Sequence, residues 1–221
     1  MPKTTKVVGI GAGGHAKVVL EILRLQKNIE VVGLTSAEQS SWKTKILGVP
    51  VLGNDSVLPG LFARGVRAAF IGVGSVGDAT LREKLYERAG SIGFKLIPTI
   101  HPSATISPSA RLGDGATVMA RAVINASASL GDNVIVNTGA IVEHDCVIGD
   151  HAHISTGARL AGGVSVGRGS HIGIGACVKQ GVRIGNNAVI AAGAAVVRDV
   201  PNGAVVGGVP AVPLKTRRRK T

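Results

Sequence analysis

The feature that most restricts the fold is a repeat of six residues. From Ile100 to Pro201 the chain divides into seventeen consecutive hexads. Every first position is Ile, Leu or Val, and every fifth is Ala, Val, Cys or Ser. No helix has a period of six, and a plain strand has a period of two. A six-residue period therefore means one short strand and one corner, so that three hexads close a triangular coil. The large aliphatic side chain fills the interior, and the small fifth residue lets the chain turn. Gly, Asn and Asp occupy other places, where corners tolerate unusual dihedral angles. Residues 18 apart then lie over one another on successive coils, and the hexads make between five and six coils. At the usual strand spacing the prism is about 27 Å tall. Its flat faces and open ends favour side-by-side association with further copies.

Composition agrees with a narrow, repetitive interior. The chain is 45% hydrophobic with 32 glycines, yet only 2% aromatic. Compact cores normally use Phe, Tyr and Trp as volume fillers. Two cysteines, Cys146 and Cys177, give neither a disulfide framework nor metal-ligand spacing and are expected to be small core residues. The net charge of +12 suits phosphorylated partners, and Lys215, Arg217, Arg218, Arg219 and Lys220 crowd a tail expected to be solvated. Nucleic-acid binding is not expected, because no aromatic residues interleave the basic ones. Neither a leader nor a bilayer-length apolar run is evident, so a cytoplasmic protein without membrane insertion is expected.

Residues 1–98 read differently, as alternating strands and helices. KVVGI (6–10), VVGL (31–34) and VRAAFIGVG (66–74) have strand character. HAKVVLEILRLQ (15–26) and residues 78–88 have helical spacing, and FKLIP (94–98) leads into the repeats. This order implies a small parallel sheet. Between the first strand and helix, Gly9, Gly11 and Gly14 satisfy G-x-G-x-x-G. A dinucleotide site would also need an acid ending the second strand, where Thr35 and Ser36 stand instead. What survives is a glycine turn at a helix N-terminus, which offers backbone N–H groups to a phosphate or is simply a tight turn.

The GAGGH turn (11–15), the hexads and the E-H-D-C run at 143–146 together resemble one family across nearly the whole chain. It is that of the hexapeptide-repeat nucleotide-sugar acetyltransferases, with the bacillosamine-pathway and perosamine N-acetyltransferases and the sialic acid O-acetyltransferase group. The resemblance implies a left-handed parallel β-helix (99–206) behind a Rossmann-like α/β domain (1–98), a C-terminal segment (207–221), and a homotrimer with sites between subunits. It implies that the first domain binds a nucleotide-sugar and the β-helix binds acetyl-CoA, with no metal. The bacillosamine enzymes carry acids after the second strand, near uracil. Thr35 and Ser36 depart from that pattern, which leaves uridine and guanine nucleotides both open.

Acetyl transfer needs a base for the nucleophile, a donor for the oxyanion and a groove for the thioester. His144 is the candidate base, flanked by Glu143 and Asp145, and the family pattern assigns the orienting carboxylate to Asp145. One coil on stands Gly162, where the missing side chain leaves room beside the imidazole and exposes a backbone N–H. Gly11, Gly13, Gly14 and His15 are candidates for the nucleotide, His15 alternatively capping its helix. Asn137 is implied to help position the sugar or the histidine and His153 to contact substrate near His144, while Gly175, Lys179 and Ala192 lie where pantetheine and phosphates would pass. His153 and His171 are 18 apart and expected to stack on an outward face, His171 in a surface or subunit-contact role. That pair leaves a zinc hydratase of the γ-carbonic-anhydrase kind as an alternative. O-acetylation of a sialic acid and a non-catalytic scaffold are others.

Overall fold

A computed structural model describes residues 4–214; the basic tail from Lys215 lies outside the described residues. The first domain is a sheet ordered β3-β4-β2-β1-β5-β6. Its strands are β1 (Thr5–Ile10), β2 (Ile29–Thr35), β3 (Lys45–Ile46), β4 (Val49–Gly53), β5 (Ala68–Ile71) and β6 (Lys95–Leu96). All neighbours pair in parallel except the edge hairpin β3–β4. Helices α1 (Gly14–Leu25), α2 (Leu58–Ala63) and α3 (Thr80–Ile92) cover it. Val19, Leu20 and Leu23 of α1 pack on one face with Val7 and Leu34. Leu58, Leu61 and Ala89 pack on the other with Val8 and Ile71. Residues 36–65 carry no clear helical or strand periodicity. The hairpin and α2 are short and interrupted by Gly and Pro, so periodicity does not expose them.

The strand order reverses at β1, which lies between β2 and β5. In open α/β sheets ligands bind outside the carboxyl ends of strands at such a point. Those ends are close-knit here: Gly11 N–H donates to Thr35 O at 3.1 Å, Ser36 N–H to Gly53 O at 2.8 Å and Gly72 N–H to Ile10 O at 2.7 Å.

From Thr99 the chain winds into three sheets, parallel except for the last pair, Val205–Gly207 with Val212–Pro213, consistent with the left-handed β-helix expected from the hexads. The first face carries Ile135–Val136, His153–Ile154 and His171–Ile172 among its strands. The second carries Ile141–Val142 and Arg159–Leu160, and the third Val147–Ile148 and Ser165–Val166. Pairing in steps of 18 residues, as His153↔His171, puts like positions over one another. First and fifth positions both point inward, Ile154 and Ala158 being fully buried. A left-handed φ recurs every six residues from Gly115 to Gly193 at the fourth position, Asp145 among them at 59°. The corner thus sits one residue before the small buried one.

Two expectations change. The last hexad is cut short, because Ile184 pairs with Val200 and Ile190 with Val206, a spacing of 16. There Asp199 Oδ1 accepts the Arg183 N–H at 2.8 Å and closes the corner two residues early. Cys146 is buried as expected, but Cys177 is exposed, since a sixth position points outward. Ile154 packs between Val136 and Ile172 in the core column. Ile154→Ala is expected to cost roughly 2–5 kcal/mol in denaturant unfolding, and a loss below about 1 kcal/mol would contradict this packing.

Candidate active site

The first face of the β-helix is roofed by the loop that follows β5. His153 and His171 do point outward from their strands, but this roof buries both, so neither lies on the surface of the chain. Their rings meet edge to face with centroids 5.0 Å apart. His153 Nδ1 donates to Ser75 O at 3.0 Å, and its Nε2 accepts from Asn137 Nδ2 at 3.2 Å. Those two partners fix one neutral tautomer. Burial holds the His153 pKa down to about 4, with His171 and Arg82 adding repulsion. Burial lowers that of His171 as well. Among the described residues, no group of three His, Cys, Asp or Glu side chains is placed to hold a metal ion.

Beside this pair opens a cavity of about 320 Å³. Asn137, His153 and Ala192 line it together with residues that periodicity did not single out: Val76, Gly77 and Ser155. Gly175 lies at the same corner of the coil with φ 66°.

The glycine turn faces the same region. Gly11 has φ 107°, and a Cβ there would lie 2.5 Å from Val73 Cγ2, so only glycine fits. Gly13 and Gly14 have open space where a side chain would be, and Gly13 caps α1 without a side-chain bond. His15 therefore does not cap its helix. Its Nε2 lies 3.4 Å from Arg82 Nη1, and burial, with Arg82 and His153 adding, lowers its pKa to about 3. Arg82 was not foreseen at all. It is fully buried on α3, donating to Ile71 O at 3.0 Å, Val73 O at 2.7 Å and Asn133 O of the β-helix at 3.2 Å. Nothing in the helical pattern marks it as the buried arginine.

His144, Asp145 and Gly162 come together at a different corner. Asp145 Oδ2 accepts from His144 Nδ1 at 2.8 Å, which leaves the Nε2 lone pair free to take a proton. A Cβ on Gly162 would lie 2.5 Å from that Nε2, so any side chain there would displace the imidazole. Gly162 O accepts from Gly181 N–H, whereas no hydrogen bond among the described residues uses the Gly162 N–H. Glu143 does not pair with the imidazole: its Oε2 accepts from Asn125 Nδ2 at 2.9 Å, one coil below, and from the His144 backbone N–H at 3.3 Å. Lys179 is exposed at this same corner, two coils above Glu143.

The comparisons with known proteins match this architecture. Residues 6–89 match the PglD N-terminal domain, and residues 127–162 the bacterial transferase hexapeptide repeats. PerB from Caulobacter crescentus, solved with CoA and GDP-perosamine, is 45% identical, covering 95% of this chain and 97% of that one with a TM-score of 0.88. The chain belongs to the hexapeptide-repeat nucleotide-sugar acetyltransferase family. The acetyltransferase domain of PglB from Neisseria gonorrhoeae is 39% identical over 96% of this chain and 100% of that one, with a TM-score of 0.88. A UDP-N-acetylbacillosamine N-acetyltransferase of Bacillus subtilis is 35% identical over 114 residues, so the match spans about half the length of that curated relative (50% of each).

The buried histidines make domain docking sensitive to pH. Unfolded histidines bind a proton near pH 6.5, while His15 and His153 stay neutral down to about 3 and about 4. Stability is therefore full above pH 6.5 and falls as pH drops below it. The thermal midpoint should decline from pH 7 to pH 5, and replacing both histidines by Asn should flatten that slope. A midpoint constant across this range would contradict the burial of neutral imidazoles.

Proposed function

We propose that the protein transfers the acetyl group of acetyl-CoA directly to the amino group of a nucleotide-linked 4-amino-4,6-dideoxyhexose. The observation that carries this reading is the His144–Asp145 pair facing Gly162, with an imidazole Nε2 free on one side and an unused N–H on the other. Similarity to PerB, solved with CoA and GDP-perosamine, supports the substrate class.

In this mechanism the sugar enters as an ammonium that gives up one proton to solvent before attack. Its nitrogen bonds to the thioester carbonyl carbon as His144 Nε2 takes a second proton, and Asp145 stabilises the imidazolium. The Gly162 N–H donates to the oxyanion. Collapse breaks the C–S bond, and the imidazolium proton goes to the departing thiolate.

A homotrimer fits the same geometry. Asn137 stands at the corner between the first and second faces with His153 on the first face beside it, and His144 at the corner between the second and third. One chain therefore does not bring its sugar-side residues to its own base. His144 and Asp145 are also 54% and 67% exposed, with Val147 beside them 54% exposed. Threefold rotation about an axis parallel to the prism would set the His144 corner of one copy against the Asn137 corner of the next. Acetyl-CoA would then lie between copies, past Lys179 on one side and Gly175 and Ala192 on the other.

His144→Ala should lower the rate of CoA release by about 10²–10⁴-fold while leaving the fold intact, the range typical of a lost general base. Gly162→Ala should lower it too, Asp145→Asn less than His144→Ala, and Glu143→Gln least. Near wild-type turnover in His144→Ala would sink the mechanism.

A further inference from the structure

We infer that Arg82 is a positioning residue for the nucleotide-sugar: its guanidinium fixes the tautomer of His15, so that the His15 Nδ1–H is presented as a donor to the diphosphate. This rests on the proposed nucleotide-sugar reading and adds to it the residue that sets the donor.

An arginine side chain carries five N–H donors and no acceptor. A ring nitrogen that pairs with it must therefore be unprotonated. Arg82 Nη1 stands 3.4 Å from His15 Nε2. The same Nη1 donates to Val73 O at 2.7 Å and Ile71 O at 3.0 Å, so one of its two hydrogens is shared. Arg82 Nε donates to Asn133 O at 3.2 Å, and these three carbonyls hold the guanidinium in place. The lone pair of His15 thus lies on Nε2 and its proton on Nδ1. A second proton on Nε2 would set two cations against each other. Burial, with Arg82 and His153 adding, accordingly keeps this imidazole neutral far below pH 6.5.

The Nδ1 side of the ring is open. No hydrogen bond among the described residues uses it. Gly74, on the loop after β5, faces Nδ1 without covering it, since a Cβ there would lie 3.9 Å away. Gly13 and Gly14 leave open space at the start of α1, where first-turn N–H groups have no intrahelical partner. A phosphate held by those groups meets the His15 Nδ1–H beside them. His153 differs in this respect, because Ser75 O and Asn137 Nδ2 already engage both of its nitrogens. Of the two, only His15 keeps a donor for a ligand. The competing role, in which Arg82 only braces α3 against the β-helix, makes the His15 tautomer irrelevant to binding.

Nitrogen-15 NMR of the histidine-labelled full chain reads the tautomer directly, with the His15 signals assigned by their loss in His15→Asn. Wild-type His15 should be protonated on Nδ1 and bare on Nε2, and Arg82→Met should let Nε2 carry the proton. Amide side chains then separate the two nitrogens in kinetics, because the Asn nitrogen takes the place of Nδ1 and the Gln nitrogen that of Nε2. His15→Asn should raise KM for the nucleotide-linked amino sugar by only about threefold. His15→Gln should raise it by about tenfold or more, with kcat nearly the same in both, as for binding lost equally in ground and transition states. Wild-type His15 protonated on Nε2, or equal KM values for the Asn and Gln variants, would overturn the inference. These measurements stand even where the Arg82 variant misfolds. CoA release separates the two levels. Release by a wild-type protein whose His15 is protonated on Nε2 refutes the positioning role alone, and no release from any nucleotide-linked amino sugar refutes the functional reading as well.

Discussion

The seating of the α/β domain on the β-helix depends on a buried guanidinium that has no carboxylate. Arg82 joins α3 to the end of β5 through two carbonyl oxygens and to the β-helix through a third, at Asn133. Burial pushes its pKa down to about 9, which still leaves it charged near neutrality. A buried charge is costly unless hydrogen-bonded, so the geometry that supplies those carbonyls is strongly favoured over alternatives. That geometry fixes the angle between the domains. It sets Ser75 over His153 and brings His15 beside Arg82. An outer contact reinforces it: Arg168 of the β-helix pairs with Glu83 of α3 and with Asp150.

The β-helix was legible because its information is periodic. Each hexad repeats the same demand, an aliphatic first residue and a small fifth one, and Ile154 or Ala158 satisfies it no differently from its neighbours. The Asp145–His144–Gly162 arrangement was legible for the same reason, since a spacing of 18 becomes vertical contact once the coil is known. Where the coil ends was not legible, because the shortening at Val200 depends on Asp199 reaching one particular N–H. Contacts between domains were invisible for a related reason. Arg82 sits on a helix whose pattern does not distinguish it, and Asp55 approaches Thr35 only through pairing of β4 with β2. His153 was expected on an open face because periodicity describes the β-helix alone and not the loop laid over it.

Function then follows from a division of labour. The α/β domain and first face hold the glycine turn, His15, His153 and Asn137 in one region of a chain. His144 and the free N–H of Gly162 stand at another corner. In the proposed assembly each chain offers its sugar to the histidine of the next.

A structure of the assembled protein with CoA and a nucleotide-linked amino sugar tests this most directly. The account predicts the sugar nitrogen within about 2.6–3.2 Å of His144 Nε2, the hydrogen-bond reach required of a base, with that histidine coming from the neighbouring copy. A sugar nitrogen placed instead against His153 and His171, remote from every His144, would contradict it.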